Sequence, residues 1–188
     1  MKRVITDVDG VLLDLLPTWL SLLGERTGFY IRPEEIEAYG FEAYIPGEHW
    51  AAFYESLPRA LELAPPMAGT SMLRGFPRDA DLTVVSYIHP AARTFGYSRK
   101  LDWFENWFPG FNPASFCTMN GQRAYMQADY LIDDNPAHIA AWLKQNPQGE
   151  AFMVAHPYNL RSAILPRCST VESFDEAAWA ILTEEEST

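Results

Sequence analysis

The fold is indicated by a short stretch near the start of the chain, Arg3-Val4-Ile5-Thr6-Asp7-Val8-Asp9-Gly10-Val11. An apolar, β-branched run here ends in two aspartates and a glycine, which is typical of a strand that stops at a turn. In an open α/β sheet, ligands bind outside the carboxyl ends of the strands. Asp7 and Asp9 are therefore candidate site residues, and the alternative is an Asx turn closed by Gly10.

Further apolar runs along the chain predict a parallel sheet covered by helices. The segments between the runs are long enough for crossover connections, so we expect an α/β fold with a doubly wound, Rossmann-like, mainly parallel sheet of five strands. The predicted strands are 3–6, 82–85, 115–118, 130–132 and 152–155. The predicted helices are 18–26, 94–108, 136–145, which Asn135 would cap, and 173–182.

The connection between the first two predicted strands is longer than a crossover requires. Between Asp9 and Ser86 there are 76 residues, whereas a crossover takes roughly a dozen or more. Segments 33–39 and 48–56 have helical patterns, and prolines and glycines punctuate the rest. We therefore expect a small helical cap, residues 15–80, inserted into a core domain made of residues 1–14 and 81–188.

Composition and charge exclude several classes of protein. The 188 residues are 48% hydrophobic and 21% charged, as expected of one soluble domain with a core. The formal net charge of -11 would repel polymeric nucleic acid and anionic membranes. The chain has neither a signal-peptide pattern nor an apolar run near the ~20 residues of a membrane span. We expect a cytoplasmic protein that acts on a small molecule, and the sequence leaves its oligomeric state open, a homodimer included.

Polar residues also follow two other predicted strands. The second strand stops at Ser86, and the fourth stops at Asp133 and Asp134. Because the carboxyl ends of parallel strands share one edge, these residues could surround a single point together with Asp7 and Asp9. Four carboxylates so close repel one another unless a cation lies among them, and all-oxygen ligation suits Mg²⁺. The alternatives are a turn into the next helix for the paired aspartates and a buried, satisfied hydroxyl for Ser86.

The motifs run in the order Asp7-x-Asp9-Gly10-Val11, a strand ending in Ser86, a basic residue, and Asp133-Asp134. This order resembles the four-motif signature of the haloacid dehalogenase superfamily of phosphohydrolases. Three segments narrow the resemblance to its 5'(3')-deoxyribonucleotidase branch: Asp9-Gly10-Val11-Leu12-x-Asp14, LELAPPMAG at 61–69, and ADYLIDD at 128–134.

The resemblance implies roles for the four aspartates. Asp7 would be the nucleophile that forms an aspartyl-phosphate, and Asp9 would serve as general acid and then general base. Asp7, the main-chain carbonyl of Asp9, and Asp133 would hold Mg²⁺, with Asp134 as an orienting group or weaker ligand. The acid at Asp9 favours a phosphatase over the dehalogenases and ion pumps of the superfamily.

The resemblance also implies which groups bind the phosphate. The Ser86 hydroxyl and the main-chain N–H groups of the turn at Asp9 and Gly10 would hold phosphoryl oxygens. The family pattern places a lysine ten residues before the paired aspartates, where this chain has Arg123. We favour Arg123 as the phosphate-binding cation. The alternative is Lys100, which we interpret as a solvated lysine on a helix.

Other departures from the branch concern the substrate pocket. Leu15 stands where the branch places an aromatic that stacks on the base, and Tyr87 replaces a small hydroxyl residue beside the phosphate. Phe41 is the candidate cap aromatic over the substrate, with a core position as the alternative. Segment 156–159 faces the same edge of the sheet, and we interpret it as a turn with Asn159 in a left-handed conformation.

These inferences predict a Mg²⁺-dependent phosphomonoesterase that acts on (deoxy)ribonucleoside 5'-monophosphates. One alternative is a phosphatase of the same fold for sugar phosphates or for terminal phosphates of nucleic acids, the latter disfavoured by the acidic charge. Another is a phosphate-binding module that has lost turnover. The presence of Asp7, Asp9 and Asp133 argues against the module, because a binder needs neither a nucleophile nor an acid.

Overall fold

The computed structural model describes residues 1–76, 80–119, 123–163 and 165–183. Its centre is a six-stranded, wholly parallel sheet with the strand order β3-β2-β1-β4-β5-β6. The strands are β1 Lys2–Thr6, β2 Ala80–Ser86, β3 Phe116–Thr118, β4 Tyr130–Asp133, β5 Glu150–Val154 and β6 Cys168–Val171. The helices are α1 Leu15–Thr27, α2 Trp50–Leu63, α3 Gly96–Trp107, α4 Pro136–Gln145 and α5 Phe174–Thr183. The predicted α/β class is confirmed.

The predicted number of strands is wrong, because the sheet has a sixth strand. β6 pairs with β5 in parallel and forms the edge of the sheet. Ser169 and Thr170 are exposed and only Val171 is buried in this strand. An edge strand that is largely solvated lacks the continuous apolar run by which the other strands were predicted.

The helices differ from the predictions mainly in the segment between β1 and β2. The predicted helix 33–39 is only a 3-10 turn, Pro33–Glu35. The helix predicted over 48–56 is α2, which continues through Pro58 to Leu63. Proline removes one main-chain hydrogen bond from a helix, and the buried side chains on either side of it, Leu57 and Leu61 among them, keep α2 continuous.

Both faces of the sheet carry apolar side chains, so the sheet lies at the centre of the core. Alternate residues of a strand point to opposite faces, and in β1 Val4 and Ile5 belong to two different buried clusters. Ile5 packs with Trp142 of α4, whereas Val4 shares its cluster with Phe104 of α3 and the α5 residue Phe174. This two-sided covering is the doubly wound arrangement that the sequence predicted.

The segment between β1 and β2 is tied to the core where it leaves the sheet and where it returns. Asp14 donates its main-chain N–H to the Pro65 carbonyl at 3.0 Å, and Met67 donates to Leu12 at 2.8 Å. Helices α1 and α2 pack against each other, with the Trp19 ring stacked on Phe53 at 3.7 Å between centroids. The segment therefore leaves and re-enters the core at one place, and β2 then begins at Ala80, opposite Lys2 at the start of β1.

The register of the sheet brings the polar strand ends together. Thr6, the last residue of β1, lies opposite Val84 of β2 and opposite Ile132 of β4. The residues that follow, Asp7, Ser86 and Asp133, consequently emerge at one edge, as the sequence predicted. No helix in the described ranges has both the length and the apolar character that crossing a membrane requires.

Candidate active site

The turn after β1 brings the main chain close to the end of β4. Gly10 has φ +78°, and a Cβ at this position would lie 2.5 Å from Asp134 Oδ2 and 2.8 Å from Tyr158 Oη. Any side chain here would meet a left-handed backbone and a steric overlap together. The glycine therefore allows the motif that contains Asp7 and Asp9 to approach Asp134.

A buried arginine links the first and fourth strands at this edge. Arg123 Nη2 donates to Asp7 Oδ1 at 2.7 Å, and Nη1 donates to Asp133 Oδ2. All three side chains are less than 10% exposed. The structure thus places Arg123 within the site, with its two terminal nitrogens directed at carboxylates.

Burial and neighbouring charges act on these carboxyl groups. Burial raises the pKa of Asp7, although the charge of Arg123 opposes it. Burial also acts to raise the pKa of Asp133, but Arg123, His138 and the Asn135 main-chain N–H together hold that pKa below its usual value. The surroundings of Asp133 therefore favour its ionised form.

A second cation, Lys100, is buried in the site, and our interpretation of it as a solvated surface lysine is wrong. Its side chain is only 4% exposed. Its ammonium donates to Asp9 Oδ2 at 2.5 Å and to Ser86 Oγ at 2.6 Å. A signal for this burial exists in the sequence of α3, because Lys100 lies on the same face of the helix as buried Gly96, Trp103 and Phe104.

The loop 156–159 makes hydrogen bonds to the Gly10 turn and to Asp134. Tyr158 Oη donates to Asp134 Oδ2 at 2.6 Å. His156 Nε2 lies 2.5 Å from the Gly10 carbonyl, and since a carbonyl only accepts, this nitrogen carries the hydrogen. Burial lowers the pKa of His156, which favours the neutral ring.

The predicted left-handed Asn159 is wrong, since Arg167 is the one non-glycine residue with positive φ in the described part of the chain. The Asn159 side chain instead donates to the carbonyls of Asp134 and Val154, both at 2.8 Å. It also accepts the His156 main-chain N–H at 2.8 Å. Sequence reasoning missed this framework, although a polar His-Pro-Tyr-Asn run directly after a strand at the ligand edge was a signal.

A cavity of about 360 Å³ opens over these residues. Asp7, Asp9, Gly10 and Asp134 form its polar side. The apolar side comes mainly from the segment between β1 and β2 and from the loop after β2, and includes Leu15, Leu16, Trp19, Phe41, Tyr54, Tyr87 and Ile88. The predicted pocket residues Phe41 and Tyr87 therefore line the cavity.

Three predicted site residues contact the lining without being part of it. Ser86, Arg123 and Asp133 are buried and are absent from the cavity wall. Ser86 Oγ accepts from Lys100 and donates to the Tyr87 carbonyl at 3.2 Å. Its hydroxyl is thus satisfied within the protein.

The donor set fits a hard divalent cation. Four aspartates meet two buried cations, Lys100 and Arg123, which leaves an excess of two negative charges when all are ionised. Asp9 Oδ1 and Asp134 Oδ1 are buried without a hydrogen-bond partner among the described residues. Asp7, Asp133 and His138 can also each direct one ligand atom to a common point, with those atoms within 4.8 Å of one another. Oxygen-rich sites of this kind suit Mg²⁺.

A parallel sheet that carries an Asp-x-Asp turn, a buried lysine and paired aspartates at its carboxyl edge defines a phosphohydrolase of the haloacid dehalogenase class. The family model described as "5' nucleotidase, deoxy (Pyrimidine), cytosolic type C protein" matches residues 2–184. The chain belongs to this family and is a phosphoric monoester hydrolase, as the sequence motifs predicted.

Individual relatives agree with this assignment. A Staphylococcus epidermidis protein that is provisionally named a 5'(3')-deoxyribonucleotidase is 24% identical over 173 residues, which cover 89% of this chain and 90% of the relative. A Staphylococcus aureus protein with the same provisional name is 27% identical over 143 residues, 73% of this chain and 76% of the relative.

Solved structures share the fold. A hydrolase of the haloacid dehalogenase family from Deinococcus radiodurans, crystallised with phosphate and sodium, superposes with a TM-score of 0.62 at 17% identity and covers 99% of this chain and 96% of its own. A haloacid dehalogenase-like hydrolase from Streptococcus pneumoniae also has a TM-score of 0.62, at 10% identity, with 95% and 98% covered. These likenesses confirm the haloacid dehalogenase fold.

Proposed function

We propose that this phosphohydrolase removes the phosphate from (deoxy)ribonucleoside 5'-monophosphates in a Mg²⁺-dependent reaction with an aspartyl-phosphate intermediate. The observation that carries the proposal is one cavity with Asp7 and Asp9 on one side and aromatic and aliphatic side chains on the other. A nucleotide has the same two halves, a phosphate dianion and an apolar-faced base. The names of the staphylococcal relatives support this class of substrate.

Asp7 is the proposed nucleophile. Its Oδ1 accepts the Val8 main-chain N–H and the Arg123 Nη2–H, both at 2.7 Å. These two donors fix the carboxylate and leave Oδ2 to attack phosphorus in line with the leaving oxygen. The P–O bond to the nucleoside then breaks as the bond to Asp7 forms.

Asp9 is the proposed general acid and base. It lines the same cavity as Asp7, and Lys100 holds its Oδ2. Asp9 gives its proton to the nucleoside alkoxide in the first step, since an alkoxide is a poor leaving group. In the second step it takes a proton from the water that attacks the aspartyl-phosphate, so the products are a nucleoside and inorganic phosphate.

The residues proposed to hold Mg²⁺ are Asp7, Asp133 and the main-chain carbonyl of Asp9, with Asp134 as a weaker ligand or orienting group. When bound, the ion neutralises negative charge on the transferring phosphoryl group. Asp134 is suited to orientation because Tyr158 and the Gly10 turn confine it.

Residues 15–80 are the proposed cap, and residues 1–14 with 81–188 the core domain. The cap contributes the Phe41 and Tyr54 rings and Trp19 to the apolar side of the cavity, and Leu15 also lines it. Tyr39 of the cap lies against Tyr158 of the core, 5.7 Å between ring centroids. The cap therefore sets the shape of the space left for the base and sugar, as specificity requires.

The proposed partner is a small phosphomonoester, and neither polymeric nucleic acid nor a membrane. The net charge of -11 opposes binding to a polyanion. The matched family, whose description includes the word cytosolic, supports a cytoplasmic location.

The proposal is tested by phosphate release from a panel of ribonucleotides, deoxyribonucleotides and sugar phosphates, with and without Mg²⁺. We expect hydrolysis of nucleoside monophosphates that EDTA abolishes. The Asp7→Asn variant should lose it, while Asp102→Asn, an exposed aspartate on α3, should keep it. Asp9→Asn should retain Mg²⁺ binding and lose most turnover.

Activity confined to sugar phosphates would overturn the nucleotide assignment and leave the roles of Asp7 and Asp9 in place. Activity that survives Asp7→Asn would overturn the covalent mechanism. A protein inactive on the whole panel that still binds Mg²⁺ and phosphate would be a binding module.

A further inference from the structure

The cavity wall includes a carboxylate, Asp14, that no step of the proposed reaction uses. Asp14 ends the segment Asp9-Gly10-Val11-Leu12-x-Asp14 and lines the cavity together with Asp9 and Leu15. The proposed nucleophile, general acid and metal ligands are other aspartates. A further negative charge increases the repulsion of a phosphate dianion, so Asp14 opposes substrate binding unless it meets another part of the ligand.

Asp14 precedes α1 at the N-cap position without acting as a cap. An aspartate there usually accepts the main-chain N–H of the second or third helical residue. The third residue of α1 is Pro17, which has no N–H, and the Asp14 side chain makes no capping hydrogen bond. No residue in the described ranges donates a hydrogen bond to this carboxylate. Its oxygens are therefore available to a ligand in the cavity.

The main chain places Asp14 between the polar and the apolar side of the cavity. The residue before it pairs with Asp9 in a short bridge, and the residue after it, Leu15, lines the apolar side. Burial raises the pKa of Asp14, although the neighbouring His156 opposes the rise. His156 in turn contacts the Gly10 carbonyl. Asp14 therefore lies beside the turn at Gly10, between the proposed positions of the phosphate and the base.

The part of a nucleotide that lies between phosphate and base is the sugar. Of the sugar hydroxyls, the one at the 3' carbon is nearer along the bonds to a 5'-phosphate, and ribonucleotides and deoxyribonucleotides both have it. A hydroxyl can donate a hydrogen bond and a carboxylate accepts one. Hydrogen bonds to an ionised acceptor are stronger than those between neutral groups. Asp14 thus has the chemistry and the position to bind the 3'-hydroxyl.

We propose that Asp14 accepts a hydrogen bond from the 3'-hydroxyl of the substrate and so selects nucleoside monophosphates that carry this hydroxyl. This inference rests on the proposed function and adds the residue that recognises the sugar. A site that hydrogen-bonds a substrate hydroxyl rejects the analogue that lacks it, because the polar group of the protein is then left unpaired. A 3'-deoxy nucleotide should therefore be a poor substrate, and Asp14 should be the cause.

The test compares kcat/KM for the deoxyribonucleoside 5'-monophosphate that the wild-type protein hydrolyses fastest with kcat/KM for the 2',3'-dideoxyribonucleoside 5'-monophosphate of the same base. The two substrates differ only in the 3'-hydroxyl. We expect the wild type to prefer the deoxynucleotide by about 10- to 100-fold, as for one hydrogen bond to a charged group. In Asp14→Ala, kcat/KM for the deoxynucleotide should fall by a similar factor and that for the dideoxynucleotide should hardly change.

The ratio of the two values separates recognition from structural damage, because a damaged fold lowers both. Asp14→Asn keeps an oxygen that can accept the hydrogen bond and removes the charge, so its preference should be intermediate. Asp102→Asn, at an exposed aspartate of α3, is the matched control and should keep the wild-type preference. If Asp14→Ala does not fold, as judged by circular dichroism, the reduced preference expected of Asp14→Asn decides.

A preference in the Asp14 variants as large as in the wild type would overturn the role of Asp14. Equal hydrolysis of the two substrates by the wild type would overturn recognition of the 3'-hydroxyl. The nucleotidase proposal stands in both cases. A wild-type protein that hydrolyses no nucleoside monophosphate would overturn the proposed function and this inference with it.

Discussion

The close approach at Gly10 predicts that Gly10→Ala is costly for stability beyond the usual effect of a left-handed backbone. Gly28, the residue after α1, offers a matched control, because its φ of +75° is nearly that of Gly10, +78°. A Cβ at Gly28 would meet nothing within 4 Å, whereas at Gly10 it would lie 2.5 Å from Asp134 Oδ2. Both substitutions therefore place an alanine in a left-handed backbone conformation, and only Gly10→Ala also creates a steric overlap.

The shared cost is the left-handed conformation, about 1–2 kcal/mol for an alanine. At Gly10 the new Cβ must also displace Asp134, which is buried, from its hydrogen bond with Tyr158. A buried carboxylate that loses its partner costs roughly 2–3 kcal/mol more. We expect the free energy of unfolding to fall by about 3–5 kcal/mol in Gly10→Ala and by about 1–2 kcal/mol in Gly28→Ala.

Urea denaturation followed by tryptophan fluorescence measures both values, with the m-value compared to confirm that the unfolded states match. An equal decrease in the free energy of unfolding of the two variants would refute the reasoning. It would show that Asp134 and Tyr158 can move to accommodate a methyl group without loss of stability. A loss in Gly28→Ala as large as that expected for Gly10→Ala would refute the value assigned to the left-handed conformation.

Three further changes test separate parts of the structure by urea denaturation. Tyr158→Phe removes the hydroxyl that donates to Asp134 and should cost about 1–3 kcal/mol; an unchanged midpoint would show that this bond contributes nothing. Phe53→Ala empties a fully buried position against Trp19 and should cost about 3–5 kcal/mol, and a loss below 1 kcal/mol would mean that the cap repacks freely. Arg3→Ala breaks an exposed ion pair with Asp129 and should cost less than about 1 kcal/mol; a larger loss would show that this pair is a major contact.

The parts of the fold that could be predicted from the sequence are those that a local pattern encodes. β1 and β4 are short apolar runs that end in aspartates, and each pattern is complete within a few residues. Once the sheet is taken as parallel, the carboxyl ends of these strands are expected at one edge, and the observed pairing of Thr6 with Val84 and Ile132 agrees with this. Asp7 and Asp133 could therefore be assigned to one edge without any knowledge of how the helices pack.

The remaining parts depend on contacts between distant segments. Lys100 resembles a solvated lysine until α3 is placed against the strand ends, because its partner Asp9 lies 91 residues away. The same holds for Asn159, because its side-chain amide donates to the main-chain carbonyl of Asp134, which follows a different strand. β6 was missed for a different reason. Two of its four residues face solvent, so its sequence lacks an apolar pattern, and it is a strand because it pairs with β5.

The strand order has a consequence for synthesis on the ribosome. β1 lies between β2 and β4, both of which follow it in the chain, and the register pairs Lys2 with Ala80 and Val4 with Tyr130. At roughly 5–20 residues per second, about 4–16 s pass between translation of Lys2 and of its first partner. During that interval β1 has two unpaired edges, and such edges favour aggregation. Until β2 and β4 have been made, the nascent chain therefore lacks the two strands that cover these edges in the folded protein.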